Sequence, residues 1–255
     1  AAKTNCKGGA MTVLSVNVNK IALLRNSRGR DYPSVVDFAA QVIDMGVKGI
    51  TVHPRPDERH ITRKDAFELG GFLRSKEEVE FNIEGYPSND FVELVLEIKP
   101  AQCTLVPDKP GQLTSDHGWN VDKNETFLDA VLSRLKNAGI RSSLFMDPDA
   151  SKLGKVKEIG ADRVELYTEQ FASHFGTSKQ DDTFQEYLLA AAKATELGIG
   201  LNAGHDLDLR NLPKFLTIPA ILEVSIGHAL VVESLQQGVE SVVKQYLDIC
   251  KNAAM

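Results

Sequence analysis

Histidine and glutamate residues stand at the ends of several short apolar runs, where buried strands of a folded chain would end. His53 and Glu84 close two such runs, and Glu165 lies inside a third. Histidine titrates near neutral pH, and a glutamate whose pKa is raised by burial acts as a base. His205 follows the small-residue turn 202–204, which would expose its imidazole. These residue types indicate proton-transfer chemistry.

Each of these carboxylates also has an ordinary structural interpretation. Glu84 could be a solvent-facing strand end that pairs with a lysine or an arginine. Glu165 points into the fold only if Val164 and Leu166 point outward, and the alternation of side chains along a strand permits either arrangement. The residues alone leave both alternatives open.

A basic loop follows the second predicted strand. The segment Val52–Thr62 contains His53, Arg55, Arg59 and His60. Arginine binds phosphate through two parallel hydrogen bonds, and a protonated histidine assists it. The alternative is a solvated basic loop, although such loops seldom open with a histidine inside an apolar strand. We therefore expect a phosphate site here.

A second candidate phosphate site is the Gly227-His228 pair, between a predicted strand and a helix. Backbone N–H groups at the start of a helix bind phosphate, and α/β barrels often hold a phosphate there. The alternative is a simple turn with a helix cap. The sequence has no GxSxG or HExxH motif, and Lys20 is the one lysine next to a predicted strand end.

One unit recurs along the chain: a β-branched run, a loop, an amphipathic segment and a glycine. The predicted strands are Val13–Val18, Gly49–His53, Glu80–Glu84, Gln102–Val106, Arg141–Met146, Arg163–Tyr167, Gly200–Ala203 and Glu223–Ile226. Four of the predicted helices end at Gly46, Gly139, Gly160 and Gly198. A single last helix is predicted from the apolar spacing of 232–246. Eight strands that alternate with helices predict an α/β fold, a single-domain (β/α)₈ TIM barrel with extra helices.

Composition limits the class of protein and its partners. The chain has 255 residues, 42% of them hydrophobic, and a formal net charge of −6. That charge disfavours nucleic acid as a partner. No apolar run approaches the roughly 20 residues that span a bilayer, and three scattered cysteines favour the reducing cytoplasm. We expect residues 1–10 to be a tag or a disordered segment, and 11–255 to form the barrel.

Several segments together carry a resemblance to a known family. They are Val16–Arg30, Ile50–Thr62, Asn82–Glu84, Leu105–Pro107, Val164–Thr168, Asn202–His205 and Ile226–Ala229. In these segments, and from the first strand to the last helix, the chain resembles pyridoxine 5′-phosphate synthase. The combination of VHxRxDxRHI with NAGH and IGHA is specific to that family.

The resemblance implies a TIM barrel enzyme of vitamin B6 biosynthesis. The family condenses 3-amino-2-oxopropyl phosphate with 1-deoxy-D-xylulose 5-phosphate, and it releases pyridoxine 5′-phosphate, inorganic phosphate and water. It uses no metal and no organic cofactor, and its members form homo-octamers. We therefore expect small phosphorylated substrates, no cofactor and a homo-octamer in the cytoplasm.

The resemblance also implies roles for individual residues. His53 and Glu84 match the proton acceptors, His205 the proton donor, and Glu165 the glutamate that stabilises the transition state. Positions that hold the deoxyxylulose phosphate match Arg55, His60 and Thr114. Positions that hold the amino-ketone phosphate match Asn17, Arg28, Asp206, Gly227 and His228.

Four positions depart from the pattern of many members. Asn19-Lys20 stands where many have Asp-His, Asp206 stands where many have glycine, and Tyr167 replaces a common histidine. A backbone contact would survive at Asp206, whereas its carboxylate near a phosphate would weaken binding. The first departure motivates an alternative, a non-catalytic homologue that binds phosphorylated ligands. A thiazole- or indole-forming barrel is a further alternative, but those enzymes usually need a strand lysine.

Overall fold

Eight parallel strands close into one barrel in chain order in a computed structural model, which describes residues 11–108, 111–112 and 114–253. The predicted fold class is confirmed; the segment 1–10 lies outside the described residues. The strands are β1 (Val13–Asn17), β2 (Gly49–Val52), β3 (Glu80–Gly85), β4 (Gln102–Leu105), β5 (Arg141–Met146), β6 (Arg163–Tyr167), β7 (Gly200–Gly204) and β8 (Ile221–Ile226).

Helices connect the strands on the outside of the barrel. They are α1 (Asn19–Asn26), α2 (Val35–Asp44), α3 (Arg63–Leu73), α4 (Asn89–Ile98), α5 (Val121–Asn137), α6 (Leu153–Glu158), α7 (Glu169–His174), α8 (Gln180–Leu197), α9 (Leu212–Phe215), α10 (His228–Gln237) and α11 (Val239–Asn252). The four predicted glycine ends are confirmed, since each of those glycines has a positive φ. None of the helices in the described ranges combines the length and apolar character that crossing a bilayer requires.

Local capping fixes where the helix after the basic loop begins. Thr62 accepts a hydrogen bond from the Asp65 backbone N–H, and the Asp65 side chain accepts one from the Thr62 N–H. This capping box satisfies two N–H groups that the first helical turn leaves unpaired. It anchors the end of the basic loop and so orients the residues that precede it.

The prediction of one last helix is wrong. Two helices, α10 and α11, meet at Gly238, whose φ of 84° and ψ of 143° leave the helical region. The apolar spacing continues across the break, which hid it in the sequence. Leu235, one of the predicted apolar positions, is 79% exposed.

The apolar core surrounds the barrel and does not fill it. Alternation along each strand sends residues such as Val16, Ile83 and Leu105 outward, where they are buried against the helices. Each such side chain contributes about 1.5–3 kcal/mol by leaving water. Most inward positions are polar instead, although Phe145 also faces inward: Ser15 and Thr51, for example, share a hydrogen bond of 2.7 Å. The barrel interior is therefore a polar network that supports the groups at its mouth.

Candidate active site

A cavity of about 560 Å³ opens at the carboxyl ends of the strands. Eleven of the twelve predicted site residues line it: Asn17, His53, Arg55, His60, Glu84, Thr114, Glu165, His205, Asp206, Gly227 and His228. The residues come from loops and strands that are far apart in the chain. The barrel closure brings them to one mouth, as expected for this fold.

Arg28 is the predicted site residue that lies elsewhere. It is exposed on the turn after α1 and does not line the cavity. The neighbouring Arg25 is held by Asp65 at the start of α3, with its Nη2 2.7 Å from Asp65 Oδ2. This pair ties the end of α1 to α3, and the role predicted for Arg28 stays a prediction.

Both glutamates face the cavity. Glu84 lies near the end of β3, and Glu165 lies at the centre of β6 with only 3% of its surface exposed. The outward neighbours Val164 and Leu166 are buried against the helices, which settles the open alternation at Glu165. Gly204 on the neighbouring strand leaves room for this side chain, because a Cβ there would come too close to the Glu165 carboxyl.

Burial and mutual repulsion favour the protonated forms of these carboxyls. Burial, followed by the charges of Glu165 and Glu223, raises the pKa of Glu84 well above its usual value. Burial, followed by the charge of Glu223, raises the pKa of Glu165 to about 8. The protonated form of each carboxyl is therefore favoured, and its proton can be donated, or displaced when a cationic ligand enters.

Two histidines of the basic loop are kept neutral. Burial, followed by the charge of Arg55, lowers the pKa of His53 well below its usual value and that of His60 to about 4. The backbone N–H of Ile61 donates to His60 Nδ1 at 2.9 Å, which leaves the ring proton on Nε2. The His53 backbone N–H donates to Asn19 Oδ1 at 2.9 Å. Neutral His53 can therefore accept a proton, whereas His60, whose Nδ1 already accepts from Ile61, presents its Nε2–H as a donor.

Arg55 is held in place by the loop after β4. Its Nη2 lies 2.5 Å from Asp108 Oδ2, which also accepts from Ser115 Oγ at 2.9 Å. Arg55 and Asp108 are 8% and 4% exposed, so the alternative of a solvated basic loop does not describe this part of the segment. The fixed guanidinium suits a phosphate at the mouth.

The start of α10 forms the other side of the cavity. Gly227 precedes it, and a Cβ there would lie 3.1 Å from Asn17 Cβ. The Asn17 side chain is fixed because its Oδ1 accepts from the Asn19 N–H at 3.0 Å. N–H groups at the first turn of α10 thus open beside Asn17, an arrangement that suits an anion.

His205 contacts partners on both ring nitrogens. Its Nδ1 lies 3.0 Å from Asp206 Oδ2, and its Nε2 lies 3.0 Å from Thr114 Oγ1. The Tyr167 ring packs edge-on against the imidazole, with 5.0 Å between ring centroids. Tyr167, the departure from the family pattern, therefore forms a wall of the site.

Sequence reasoning missed several residues that shape the site, among them Asp108, Ser115 and Glu223. Alternation in Ile221–Ile226 would have placed Glu223 on the same face as Ser225, which lines the cavity. Asp108 carries a weaker signal, since it is a carboxylate three residues after the end of β4.

Comparison with known proteins gives a family match over most of the chain. Residues 14–252 match the family model described as "Pyridoxal phosphate biosynthesis protein PdxJ". A pyridoxine 5′-phosphate synthase of Leptospira biflexa is 50% identical over 252 residues, which cover 94% of this chain and 97% of that protein. The enzyme of the same name from Bacteroides fragilis is 51% identical over 237 residues, covering 92% and 98%.

Solved structures of low identity share the fold. A tryptophan synthase structure from Mycobacterium tuberculosis has a TM-score of 0.64 at 12% identity and covers 94% of this chain and 93% of that one. N-(5′-phosphoribosyl)anthranilate isomerase from Pyrococcus furiosus has a TM-score of 0.58 at 12% identity, covering 94% and 99%. At such identities the similarity extends to the fold alone.

Proposed function

The chain belongs to the PdxJ family of pyridoxal phosphate biosynthesis proteins, and on that premise we propose that it is a pyridoxine 5′-phosphate synthase. It joins 3-amino-2-oxopropyl phosphate to 1-deoxy-D-xylulose 5-phosphate and releases phosphate and water. The observation that carries the proposal is one cavity lined by His53, Glu84, Glu165 and His205. Two anion-binding regions flank these groups.

Binding of the two phosphates aligns the reactants. Arg55 and His60 hold the deoxyxylulose phosphate with Thr114, while Asn17 and the start of α10 hold the amino-ketone phosphate. Alignment of two substrates in one cavity removes much of the entropic barrier to their reaction. The imine forms between the substrate amine and the substrate ketone, so no enzyme lysine is needed. The same Arg55 guanidinium stabilises the negative charge of the phosphate group that departs.

Proton transfers then complete the ring. His53, neutral at physiological pH, accepts protons, and the buried Glu165 stabilises the charge that develops beside it. Burial favours the protonated form of Glu84, because it raises the pKa of this carboxyl. A cationic amine entering beside it favours the carboxylate, which then acts as an acceptor. Groups of different proton affinity thus serve successive steps.

A two-substrate assay tests the proposal. We expect the purified protein, without added metal, to form pyridoxine 5′-phosphate with one phosphate released per product, measured by mass spectrometry and phosphate release. Binding of both substrates without phosphate release would favour the alternative, a homologue that binds phosphorylated ligands without turnover. Absence of binding of either substrate would reject both readings.

Further properties follow from the family premise as part of the same proposal. We expect a homo-octamer located in the cytoplasm, with residues 11–255 acting as one catalytic domain. Light scattering of the full chain tests the octamer, and assay of a chain that starts at Met11 tests the domain. A stable monomer with full activity would contradict the assembly.

A further inference from the structure

A carboxylate contacts the histidine that follows the end of β7. Asp206 is next to His205 in the chain, and its Oδ2 lies 3.0 Å from His205 Nδ1. The opposite nitrogen, Nε2, faces Thr114 Oγ1 at 3.0 Å. The carboxylate thus contacts one ring nitrogen, while the other nitrogen points to the cavity.

The backbone holds both residues in an uncommon conformation. His205 has a φ of 89° and Asp206 a φ of 58°, in the left-handed region that non-glycine side chains seldom adopt. Two neighbours tie this backbone down: Thr168 Oγ1 donates to the Gly204 carbonyl at 2.7 Å, and Asn211 Nδ2 donates to the Asp206 carbonyl at 3.1 Å. Strain held by such bonds points to a functional arrangement.

The imidazole is further restricted by its surroundings. The Tyr167 ring lies edge-on at a centroid distance of 5.0 Å, and Tyr167 is itself packed on Phe145 at 5.3 Å. The side chain of His205 is only 22% exposed, whereas that of Asp206 is 45% exposed. Asp206 therefore stays in contact with solvent while it orients the His205 ring, whose movement Tyr167 already restricts.

We propose that Asp206 is a positioning residue, which holds the proton of neutral His205 on Nδ1 and so dedicates Nε2 to proton transfer with the substrate. A carboxylate has only acceptor oxygens, so the ring nitrogen beside it must carry the hydrogen. A third group that orients a working histidine in this way is a recurring device in catalysis. The role as proton donor rests on the proposed function, whereas the orientation does not.

The proton step follows from this arrangement. When His205 carries both ring protons, the Nε2–H bond breaks, and its electron pair stays on Nε2. The proton forms a new O–H bond on a substrate hydroxyl while its C–O bond breaks, and the electron pair of that bond leaves with the water. The neighbouring C–H bond of the substrate gives its proton to His53, and its electron pair forms the new C=C bond. The neutral ring that remains is the Nδ1–H form, still bonded to Asp206. Without the carboxylate, neutral His205 could keep its hydrogen on Nε2, and no acceptor nitrogen would then face the cavity.

Nitrogen NMR of the histidine rings tests the orientation without reference to activity. The full chain, labelled with ¹⁵N-histidine, is measured above about pH 8, where an ordinary imidazole is neutral. Six histidines give signals, and the His205→Asn variant identifies the one of interest. We expect the Nδ1–H form in the natural protein. In Asp206→Gly, which suits the positive φ, the Nε2–H form should appear at His205.

A matched variant separates orientation from charge. Asp57 is an acid of the basic loop that does not line the cavity, and it pairs with Arg59, with Oδ2 2.8 Å from Arg59 Nε. Asp57→Asn should leave the His205 form unchanged. Kinetics of Asp206→Gly should show kcat lowered at least about tenfold, with both KM values within about threefold. Asp206→Glu, which keeps the carboxylate, should recover part of the lost kcat.

The orientation of His205 and the proposed function can be contradicted independently of each other. An Nε2–H ring in the natural protein, or an unchanged ring and kcat in Asp206→Gly, would overturn the proposal. A large rise in KM with unchanged kcat would also overturn it, since that marks a loss of substrate binding. If no product forms with the natural protein but the ring is Nδ1–H, the proposed function fails and the orientation stands.

Discussion

Glu165 on β6 and Glu223 on β8 are both register partners of Asn202 on β7, so two buried carboxyls lie one strand apart inside the barrel. Burial raises the pKa of Glu223 to about 7, partly opposed by Arg163, whose Nη1 lies 3.8 Å from Glu223 Oε2. Glu223 in turn raises the pKa of Glu165. Two like charges so placed cannot both be ionised without cost.

Replacement of Glu165 by glutamine should remove a pH dependence of stability. Folding raises the pKa of this carboxyl from 4.5 to about 8, so the folded protein binds more protons between these values. Its contribution to the free energy of unfolding is present below pH 4.5 and is lost as the pH rises to about 8. Glu165→Gln should therefore gain stability relative to the natural protein across this window, on the order of a few kcal/mol.

Urea unfolding at the two ends of that window measures the effect. Glu77→Gln provides the control, because it makes the same chemical change at an exposed position. An equal difference between Glu165→Gln and the natural protein at both ends would contradict the raised pKa.

Replacement of Glu84 by glutamine should stop turnover and spare binding. The amide keeps the size of the side chain but cannot exchange a proton, so kcat should fall at least about 100-fold. Affinity for each substrate should stay within about threefold, measured by calorimetry. Glu78→Gln is the control, since Glu78 is 83% exposed and pairs with Lys48. Normal turnover in Glu84→Gln would remove this residue from the mechanism.

An alanine at position 227 should weaken binding of the amino-ketone phosphate. Its Cβ would lie 3.1 Å from Asn17 Cβ, at the opening of α10. We expect the KM for that substrate to rise roughly tenfold with a smaller change in kcat. Gly154→Ala is the control, because nothing lies within 4 Å of a Cβ there. An equal rise in KM for the deoxyxylulose phosphate would argue against a separate site.

Removal of Asp108 should destabilise the fold through Arg55. Asp108→Ala leaves a buried guanidinium without its carboxylate, at a cost of about 3–5 kcal/mol. The double variant Arg55→Met, Asp108→Ala should be more stable than the single Asp108 variant, since no unpaired charge remains. Chemical denaturation of the four proteins in this cycle gives the coupling energy. Simple additivity would show that the pair does not interact.

The strands and the glycine helix ends were predictable because their signals are local. Strands β5 and β6 have the predicted bounds, and the others differ by one or two residues at an end. The break at Gly238 was not predictable from apolar spacing, because α10 and α11 continue one pattern. Helix α1 was also missed, since its short sequence follows the β1 residues without a capping signal.

The site was predictable only as a set of residue types at strand ends. The family resemblance supplied roles, but contacts between residues far apart in the chain needed the fold. Arg55 and Asp108 are 53 residues apart, and Thr114 and His205 are 91 apart. No local pattern reports such pairs. The position of Arg28, exposed on the turn after α1 and outside the cavity lining, likewise became visible only in the fold.

The placement of the apolar core outside the barrel divides the molecule into two shells with separate duties. Substitutions in the outer shell, where helices pack on the strands, can alter thermal stability without changing the protonation of the residues at the barrel mouth. Inside the barrel this freedom is lost: an aliphatic residue in place of Gln102 or Asn202 would remove partners of Glu223 and Arg163. Engineering for heat resistance should therefore begin where the helices pack on the strands, since a substitution inside the barrel also changes the pKa values of the carboxyls at its mouth.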